Sequence, residues 1–534
     1  MAYPKTGAPF HMPEHTASLR QHGLNGWRWL ERGLDASFGS ALNPMRHLGA
    51  IGMLAFWLLA ASGIVLYIVL DTSVTGAWRS IDDLSKVPLR FGVLLRGLHR
   101  YAGDTLVLAM GAHLLREWLH GHERGVRRFP WLTGVPLIGF VFVSAIGGFW
   151  INWDQLGQFS AVATAEWLGA LPMLATPLAR NFLVADSVGD RLFSLFIFVH
   201  LGVPLLLLFG LWFHIQRLTR VAVLPPRALA LGLVATLVLL ALVWPVRSAP
   251  PADLSQVPAL LQIDWLLLWL HPLMYATSTG FTWALVGTAA LLLLALPFLP
   301  QPARAAVAVV DPANCNGCQR CFADCPYAAV TMVPHPNQRI GRTLAQVDSD
   351  LCVGCGICAG ACPSSTPFRS ALQLVTGIDM PQRPIGALRT QLQRDLAANT
   401  AARPLVVFGC DHGARTASLA GAGQADVSVC SLLCAGQLPP SFVEYALRDG
   451  AAGVVVAACR EGGCEFRQGE RWTAERLSGM REPHLRQAAR DERVELVFAG
   501  PGDEARLDAA VQRLRQRVQP LAVERDLPHR MPHV

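Results

Sequence analysis

The chain has 534 residues, 52% of them hydrophobic, and a formal net charge of +7, which is more than one domain by the usual size prior. Its basic residues sit in loops between apolar runs rather than on one dense face, so a nucleic-acid partner is not expected and a lipid bilayer is. All 13 cysteines lie beyond residue 314, whereas the apolar runs stop near residue 299.

The first residues are polar and lack the apolar run of a cleavable signal peptide, so insertion is expected to be directed by the first span. Residues 22–40 place aromatic and aliphatic side chains at helical spacing between Arg and Glu, the pattern of a helix lying on a membrane surface. Apolar spans follow at about 48–70, 98–119, 132–152, 192–216, 227–246 and 279–299, each near the length that crosses a bilayer. Arg20, Arg28, Arg32 and Arg46 precede the first span. Arg116, Arg124, Arg127 and Arg128 lie between the second and third, and Arg217, Arg220 and Arg227 between the fourth and fifth. The longer loop after the third span sets Arg180 and Arg191 against Asp154, Glu166, Asp186 and Asp190. Positive charge stays inside, which predicts a cytoplasmic-membrane protein with both termini in the cytoplasm.

The second span carries His99 and His113, and the fourth carries His200 and His214, each pair fourteen residues apart. Fourteen helical residues turn through about 1400°, close to four rotations, and rise about 21 Å. Each pair therefore lies on one helix face, its members on opposite sides of a hydrocarbon core about 30 Å thick. Imidazole is a standard axial ligand of haem iron, so two such helices face to face would present two His/His pairs, one above the other. The predicted topology sets His99 and His200 near the outer face, with His113 and His214 near the inner one. Gly49 and Gly63 on the first span, and Gly134 and Gly148 on the third, repeat the fourteen-residue interval. A porphyrin between helices needs backbones close to its plane, which glycine allows. Pro204, four residues after His200, removes a backbone donor and is expected to kink its helix.

These residues, with Arg96 three positions before His99, resemble cytochrome b of the quinol–cytochrome c oxidoreductases over about residues 22–299. The resemblance implies that His99 and His200 bind an outer haem b and His113 and His214 an inner one, with Arg96 pairing with a haem propionate. That family carries a Pro-Glu-Trp-Tyr signature at its outer quinol site; here the corresponding stretch is Ile263-Asp264-Trp265-Leu266. Asp264 either accepts a proton from quinol, assisted by His271, or caps the apolar segment that follows it.

A Pro-rich joint leads into Cys315, Cys318, Cys321 and Cys325-Pro326, and a second copy follows in Cys352, Cys355, Cys358 and Cys362-Pro363. This doubled run is the bacterial two-cluster signature, in which the fourth cysteine of each run ligates the other cluster. It predicts one [4Fe–4S] cluster on Cys315, Cys318, Cys321 and Cys362, and another on Cys352, Cys355, Cys358 and Cys325. Zinc sites do not use this doubled pattern. Residues 308–365 resemble a bacterial ferredoxin, and such cysteines belong in a reducing compartment.

After a basic connector at 366–403, residues 404–522 read as α/β, with the apolar strands PLVVFG, DVSVCSL, AGVVVAA and VELVFAG alternating with helical stretches. Cys410, Cys430, Cys434, Cys459 and Cys464 fall at strand ends, where such folds place ligands. The stretches LCAGQLPPSFVEYALRDGAAGVVV and ACREGGCEFRQGERWTAERL resemble the delta subunit of methyl-viologen-reducing hydrogenase. The resemblance implies a [2Fe–2S] cluster and a link between a hydrogenase and a flavoprotein. The expected ligands are Cys410, Cys434, Cys459 and Cys464. Cys430 is either a substitute ligand or a buried small hydrophobe, and His412 is a further candidate. Cys410 is followed by Asp411-His412-Gly413 where that family tends to hold two close cysteines.

The expectation is a multi-domain chain with an all-α transmembrane cytochrome b-like bundle, an α+β ferredoxin-like part and an α/β part. Its boundaries are an arm at 1–47, the membrane domain at 48–300, the ferredoxin at 308–365, the connector, the α/β domain at 404–522 and a tail at 523–534. With no Gly-rich dinucleotide fingerprint and no triad pattern, the expected function is electron transfer between quinone/quinol and a soluble cytoplasmic flavin, hydrogenase or heterodisulfide-reductase-like enzyme. The alternative is an adaptor and membrane anchor with no quinone site of its own. A homodimer is compatible with either.

Overall fold

A computed structural model describes residues 14–86, 90–171, 188–256, 260–299, 306–338, 340–362, 374–417, 419, 425–486 and 492–525. Arg180, Asp186, Pro363 and the tail beyond residue 525 lie outside the described residues. The chain divides into two compact units: Met1–Arg217 with Val221–Pro302, and Leu218–Arg220 with Ala303–Val534.

The first unit is helical. It runs α1 (Glu14–Phe38), α2 (Leu48–Val69), α3 (Ala77–Asp83), α4 (Phe91–Leu119), α5 (Arg128–Asn152), α6 (Gln155–Gly169), α7 (Asp190–Ile215), α8 (Arg227–Val243), α9 (Leu270–Ala276) and α10 (Thr279–Ala295). Helix α1 begins before the expected residue 22. It docks by Trp27, which packs with Leu48 and Leu119, while Trp29 stays exposed. Side chains cap several starts: Asp154 accepts from Gly157 N at 2.8 Å and Ser278 from Phe281 N at 3.1 Å, satisfying donors that have no intrahelical partner.

Among the described residues, four helical segments are long and apolar enough to cross a membrane: Leu48–Val69, Arg128–Asn152, Asp190–Ile215 and Thr279–Phe298. Six spans were expected. Helix α4 has 29 residues but carries Arg96, Arg100, Asp104, Arg116 and Glu117, so its length suffices while its charge lowers its apolar character. Helix α8 has 17 residues, at the short end for a span. Charges in membrane-length helices persist where they face partners inside a bundle, and Arg100 does so, pairing with Asp104 and Asp264. Helix α2 packs along α4 and α5 along α7. Phe56, Val107, Leu137, Val141, Leu207 and Leu267 form a core among these helices. Large apolar residues such as Phe198, Leu205, Leu231 and Leu291 remain exposed, the surface a bilayer solvates.

The second unit begins with two short antiparallel ribbons. Strand β1 (Val309–Val310) pairs with β4 (Ile378–Asp379), and β2 (Val330–Pro334) pairs with β3 (Thr343–Val347). Between them lie the one-turn helices α11 (Arg320–Asp324) and α12 (Ile357–Gly360). Helix α13 (Ile385–Ala398) then leads into a parallel sheet of order β6-β5-β7-β8, from β5 (Leu405–Cys410), β6 (Val427–Leu432), β7 (Gly453–Ala458) and β8 (Val494–Phe498). Helices α14 (Ser441–Arg448), α15 (Gly469–Ser478) and α16 (Glu504–Arg525) belong to the crossovers and the end of this part. The inner strands β5 and β7 are buried at every residue, whereas the edge strand β6 alternates. That difference explains the unbroken apolar runs VVFG and VVVAA: a parallel strand covered on both faces has no solvent side to keep polar.

Candidate functional site

Helices α2 and α4 run antiparallel in a register that sets Gly49 and Gly63 of one against a histidine of the other. A Cβ on Gly63 would lie 3.1 Å from His99 Cε1, and one on Gly49 would lie 3.7 Å from His113 Cε1. Helices α5 and α7 repeat the arrangement: a Cβ on Gly148 would approach His200 Cε1 to 3.0 Å and one on Gly134 would approach His214 Cε1 to 3.0 Å. The equal intervals bring this about, since a pair spaced by fourteen on one helix meets a pair spaced by fourteen on its antiparallel neighbour.

The imidazoles of His99 and His200 lie with ring centroids 6.3 Å apart. An imidazole nitrogen binds a metal at about 2 Å, so these two residues are the ones that would hold a metal-centred cofactor between them. His113 and His214 are electrostatic neighbours at the other pair.

Hydrogen bonds also fix which nitrogen is free. His200 Nδ1 lies 2.8 Å from Ser144 O; a carbonyl only accepts, so Nδ1 carries the proton and Nε2 keeps its lone pair. Ser62 donates its hydroxyl to Leu58 O at 2.6 Å and therefore accepts from His99 Nδ1 at 3.0 Å. Thr133 donates to Phe129 O at 2.9 Å and accepts from His214 Nδ1 at 3.2 Å. Three of the four rings thus keep a free lone pair on Nε2, the state a metal-binding histidine would need. Ser62 and Thr133 were not anticipated. The signal was there: each immediately precedes a glycine of the fourteen-residue pairs, Gly63 and Gly134.

The remaining expected residues of this unit have other neighbours. Arg96 is buried and donates to Ser248 Oγ at 2.9 Å and Ile81 O at 3.4 Å. Asp264 pairs through Oδ2 with Arg100, while its Oδ1 accepts from Leu266 N at 3.1 Å and Leu267 N at 2.9 Å. Of the two roles expected for Asp264, capping is the one this geometry displays. His271 is 2% exposed, its Nε2 2.9 Å from Thr164 Oγ1 and its ring edge-on to Phe159. Its Nδ1 is buried without a hydrogen-bond partner.

In the second unit, one cavity is lined by Cys315, Cys318, Cys321 and Cys362, and another by Cys325, Cys352, Cys355 and Cys358. Three cysteines of one run and the last of the other thus share each cavity. The two runs adopt one loop shape: Gly317 and Gly354 have φ of 69° and 73°, and Gln319 and Gly356 have 64° and 77°. Gly317 needs its missing side chain as well, because a Cβ would meet Thr343 O at 2.3 Å. Burial pushes the Cys321 thiol up to about 12 and raises Cys355 and Cys358 too. Thiolates here therefore need a positive centre, as iron would provide.

The third group lies at the ends of the parallel sheet. Cys410 ends β5, Cys434 follows β6, Cys459 follows β7, and Cys464 stands in the loop before α15. Cys410 Sγ is 3.6 Å from Cys459 Sγ. Cys464 packs against Cys410 and Cys459 on one side and against Cys434 on the other, gathering the four into a ring. A Cβ on Gly469 would lie 2.1 Å from Cys434 Sγ. Cys430 is elsewhere, fully buried in the apolar core with Phe408, Leu432 and Phe442. His412 packs edge-on against Phe466, with centroids 5.0 Å apart. Among the described residues, no group of three or more His, Cys, Asp or Glu closes on a single-ion site.

Comparison with known proteins assigns the parts. Residues 34–222 match the family model for cytochrome b/b6/petB, residues 314–366 that for the 4Fe-4S dicluster domain, and residues 405–522 that for the delta subunit of methyl-viologen-reducing hydrogenase. Among solved structures, a chain titled hyperthermophilic respiratory Complex III is 18% identical, with a TM-score of 0.40, over 48% of this chain and 75% of that one. The family matches make this a membrane electron-transfer protein, in which a cytochrome b region implies haem b and a dicluster domain implies iron–sulfur cluster binding.

Proposed function

We propose that the chain carries electrons between the quinone/quinol pool and a soluble cytoplasmic redox enzyme of the flavin, hydrogenase or heterodisulfide-reductase type. In this reading His99 and His200 hold an outer haem b and His113 and His214 an inner one. Cys315, Cys318, Cys321 and Cys362 hold one [4Fe–4S] cluster, and Cys325, Cys352, Cys355 and Cys358 hold the second. Cys410, Cys434, Cys459 and Cys464 hold a [2Fe–2S] cluster. When bound, these groups supply reversible one-electron chemistry, while the protein supplies ligands, position and dielectric.

The observation that carries the reading is the antiparallel register of Gly49/Gly63 with His113/His99 and of Gly134/Gly148 with His214/His200. Glycine at all four positions leaves space beside all four rings, and a packing glycine needs no such coincidence. Ser62, the Ser144 carbonyl and Thr133 keep three rings in the ligating tautomer. Positive charge in the loops supports a cytoplasmic location for the cysteine-rich half. An electron moving between the faces would then couple to the membrane potential, at about 2.3 kcal/mol per charge per 100 mV.

The test is purification from membranes with haem, iron and sulfide analysis, followed by reduction with a quinol analogue. The reading expects two haems per chain and quinol-driven haem reduction that a quinone-site inhibitor blocks. Reduction indifferent to such inhibitors would refute the quinone link.

A second reading, an electron-transferring adaptor without its own quinone site, is favoured by Asp264. Both of its oxygens are engaged, by Arg100 and by backbone amides, which leaves it poorly placed to receive a proton.

A further inference from the structure

The loop between Cys355 and Cys358 touches the loop that follows Cys434. Cys355, Ile357, Cys434 and Trp472 are buried together, with Cys464 packed against them. The approach is close: a Cβ on Gly360 would lie 2.2 Å from the Gly436 carbonyl oxygen, and one on Gly436 would lie 2.9 Å from the Ile357 side chain at Cγ1. Cys315, Cys318 and Cys321 take no part in this cluster. The second of the two ferredoxin-like sites is therefore the one adjoining the four-cysteine ring.

A buried cation occupies the junction. Arg476, on α15, is 1% exposed. Its Nη1 donates to Gly436 O at 2.8 Å, and its Nη2 donates to Ile357 O at 3.4 Å and to Asp324 Oδ2 at 2.6 Å. Asp324 immediately precedes Cys325 and is itself 3% exposed. Its other oxygen accepts from Arg481 Nη1 at 2.6 Å, and Trp472 Nε1 donates to its carbonyl at 3.2 Å. Two guanidinium groups thus share one carboxylate. The Nε of Arg476 is buried without a hydrogen-bond partner.

Burying an arginine this completely is costly unless its charge and donors are used. Asp324 and the two carbonyls account for the packing. Arg481 also pairs with Glu475 at 2.7 Å, so the charge facing the loops of Ile357 and Gly436 is that of Arg476 itself, beside sites built to hold anionic iron–sulfur–thiolate groups. Reduction adds a negative charge to such a group, and a neighbouring cation favours the reduced form most strongly where water is excluded.

We propose that Arg476 is a positioning residue for both sites at once. It ties the Cys355–Cys358 loop to the loop after Cys434, and its charge raises the electron affinity of the cluster sites on either side above that of the Cys315/Cys318/Cys321/Cys362 site. This rests on the iron–sulfur assignment proposed above.

The experiment is a redox titration of the purified full chain followed by electron paramagnetic resonance, with iron content measured in parallel. Arg476→Met is expected to shift the midpoints of the two adjoining clusters to more negative values, leaving the haems and the remaining cluster unmoved, and Arg476→Lys to restore most of the shift. Asp324→Asn, which deletes the opposing charge, is expected to move the same midpoints positively. Opposite signs from two substitutions in one ion pair cannot come from loosened packing, so Asp324→Asn decides the matter if Arg476→Met loses iron. Unchanged midpoints with full iron, or shifts of the same sign in both variants, would overturn the proposal. Absence of the cluster signals from the unmodified protein would instead overturn the iron–sulfur assignment itself.

Discussion

Gly148 faces His200: a side chain there would begin 3.0 Å from the imidazole Cε1, closer than ordinary packing permits. Helix α5 therefore approaches the ring of α7 only because this position lacks a Cβ, and the same holds at Gly63 before His99 and Gly134 before His214. A larger residue would turn the ring or push the helices apart.

Gly148→Val is accordingly expected to remove one haem and spare the other, because His113 and Gly49 lie about 21 Å along the helices. Haem per chain, measured as the pyridine haemochrome, should fall by about half. Full retention would refute the glycine's proposed role.

Thr133→Val keeps the shape of the side chain but deletes the acceptor for His214 Nδ1–H, 3.2 Å away. Loss of such an outer partner costs roughly 10–100-fold in metal affinity and lowers the basicity of the ligating nitrogen. A less basic ligand stabilises the oxidised haem less, so the midpoint of the inner haem should rise. A spectroscopic redox titration reads both effects, with the outer haem as internal control.

Cys430→Ala and Cys434→Ala should separate packing from ligation. Cys430 is buried away from the ring of thiols, so its substitution should leave iron content unchanged at a stability cost of about 1 kcal/mol. Cys434 is buried with Cys464 packed against it, and its loss should abolish the third cluster's signal. Iron loss in Cys430→Ala would return Cys430 to the ligand set.

Asp264→Asn tests the outer quinone site. It removes the charge facing Arg100 but retains an oxygen for the amides of Leu266 and Leu267. If Asp264 takes the quinol proton, haem reduction by quinol should be lost while dithionite reduction persists. If Asp264 is a cap and ion-pair partner only, the quinol-driven rate should stay near that of the unmodified protein.

The parts legible in the sequence are those whose geometry is local. Helical turn and rise place His99 over His113 whatever surrounds the helix, and the spacing within Cys315–Cys325 or Cys352–Cys362 is set by one short loop. The strands of the parallel sheet announced themselves as apolar runs because β5 and β7 are covered on both faces. Helix α4 was harder to read: its charges interrupt the apolar pattern, and only the partners of Arg100 on its own helix and at Asp264 show where one of them goes.

Sequence by itself thus determined the paired histidines, the paired glycines and the doubled cysteine runs, since each depends on periodicity along one element. Tertiary structure decided which glycine meets which histidine, which oxygen holds Nδ1 of His99, His200 and His214, that Cys430 leaves the ring and that Asp264 faces Arg100. It also joined Arg476 to Asp324, 152 residues away. No local rule reaches across that separation. Such pairs exist only because a buried charge or an unspent hydrogen-bond donor must find a partner in the folded chain.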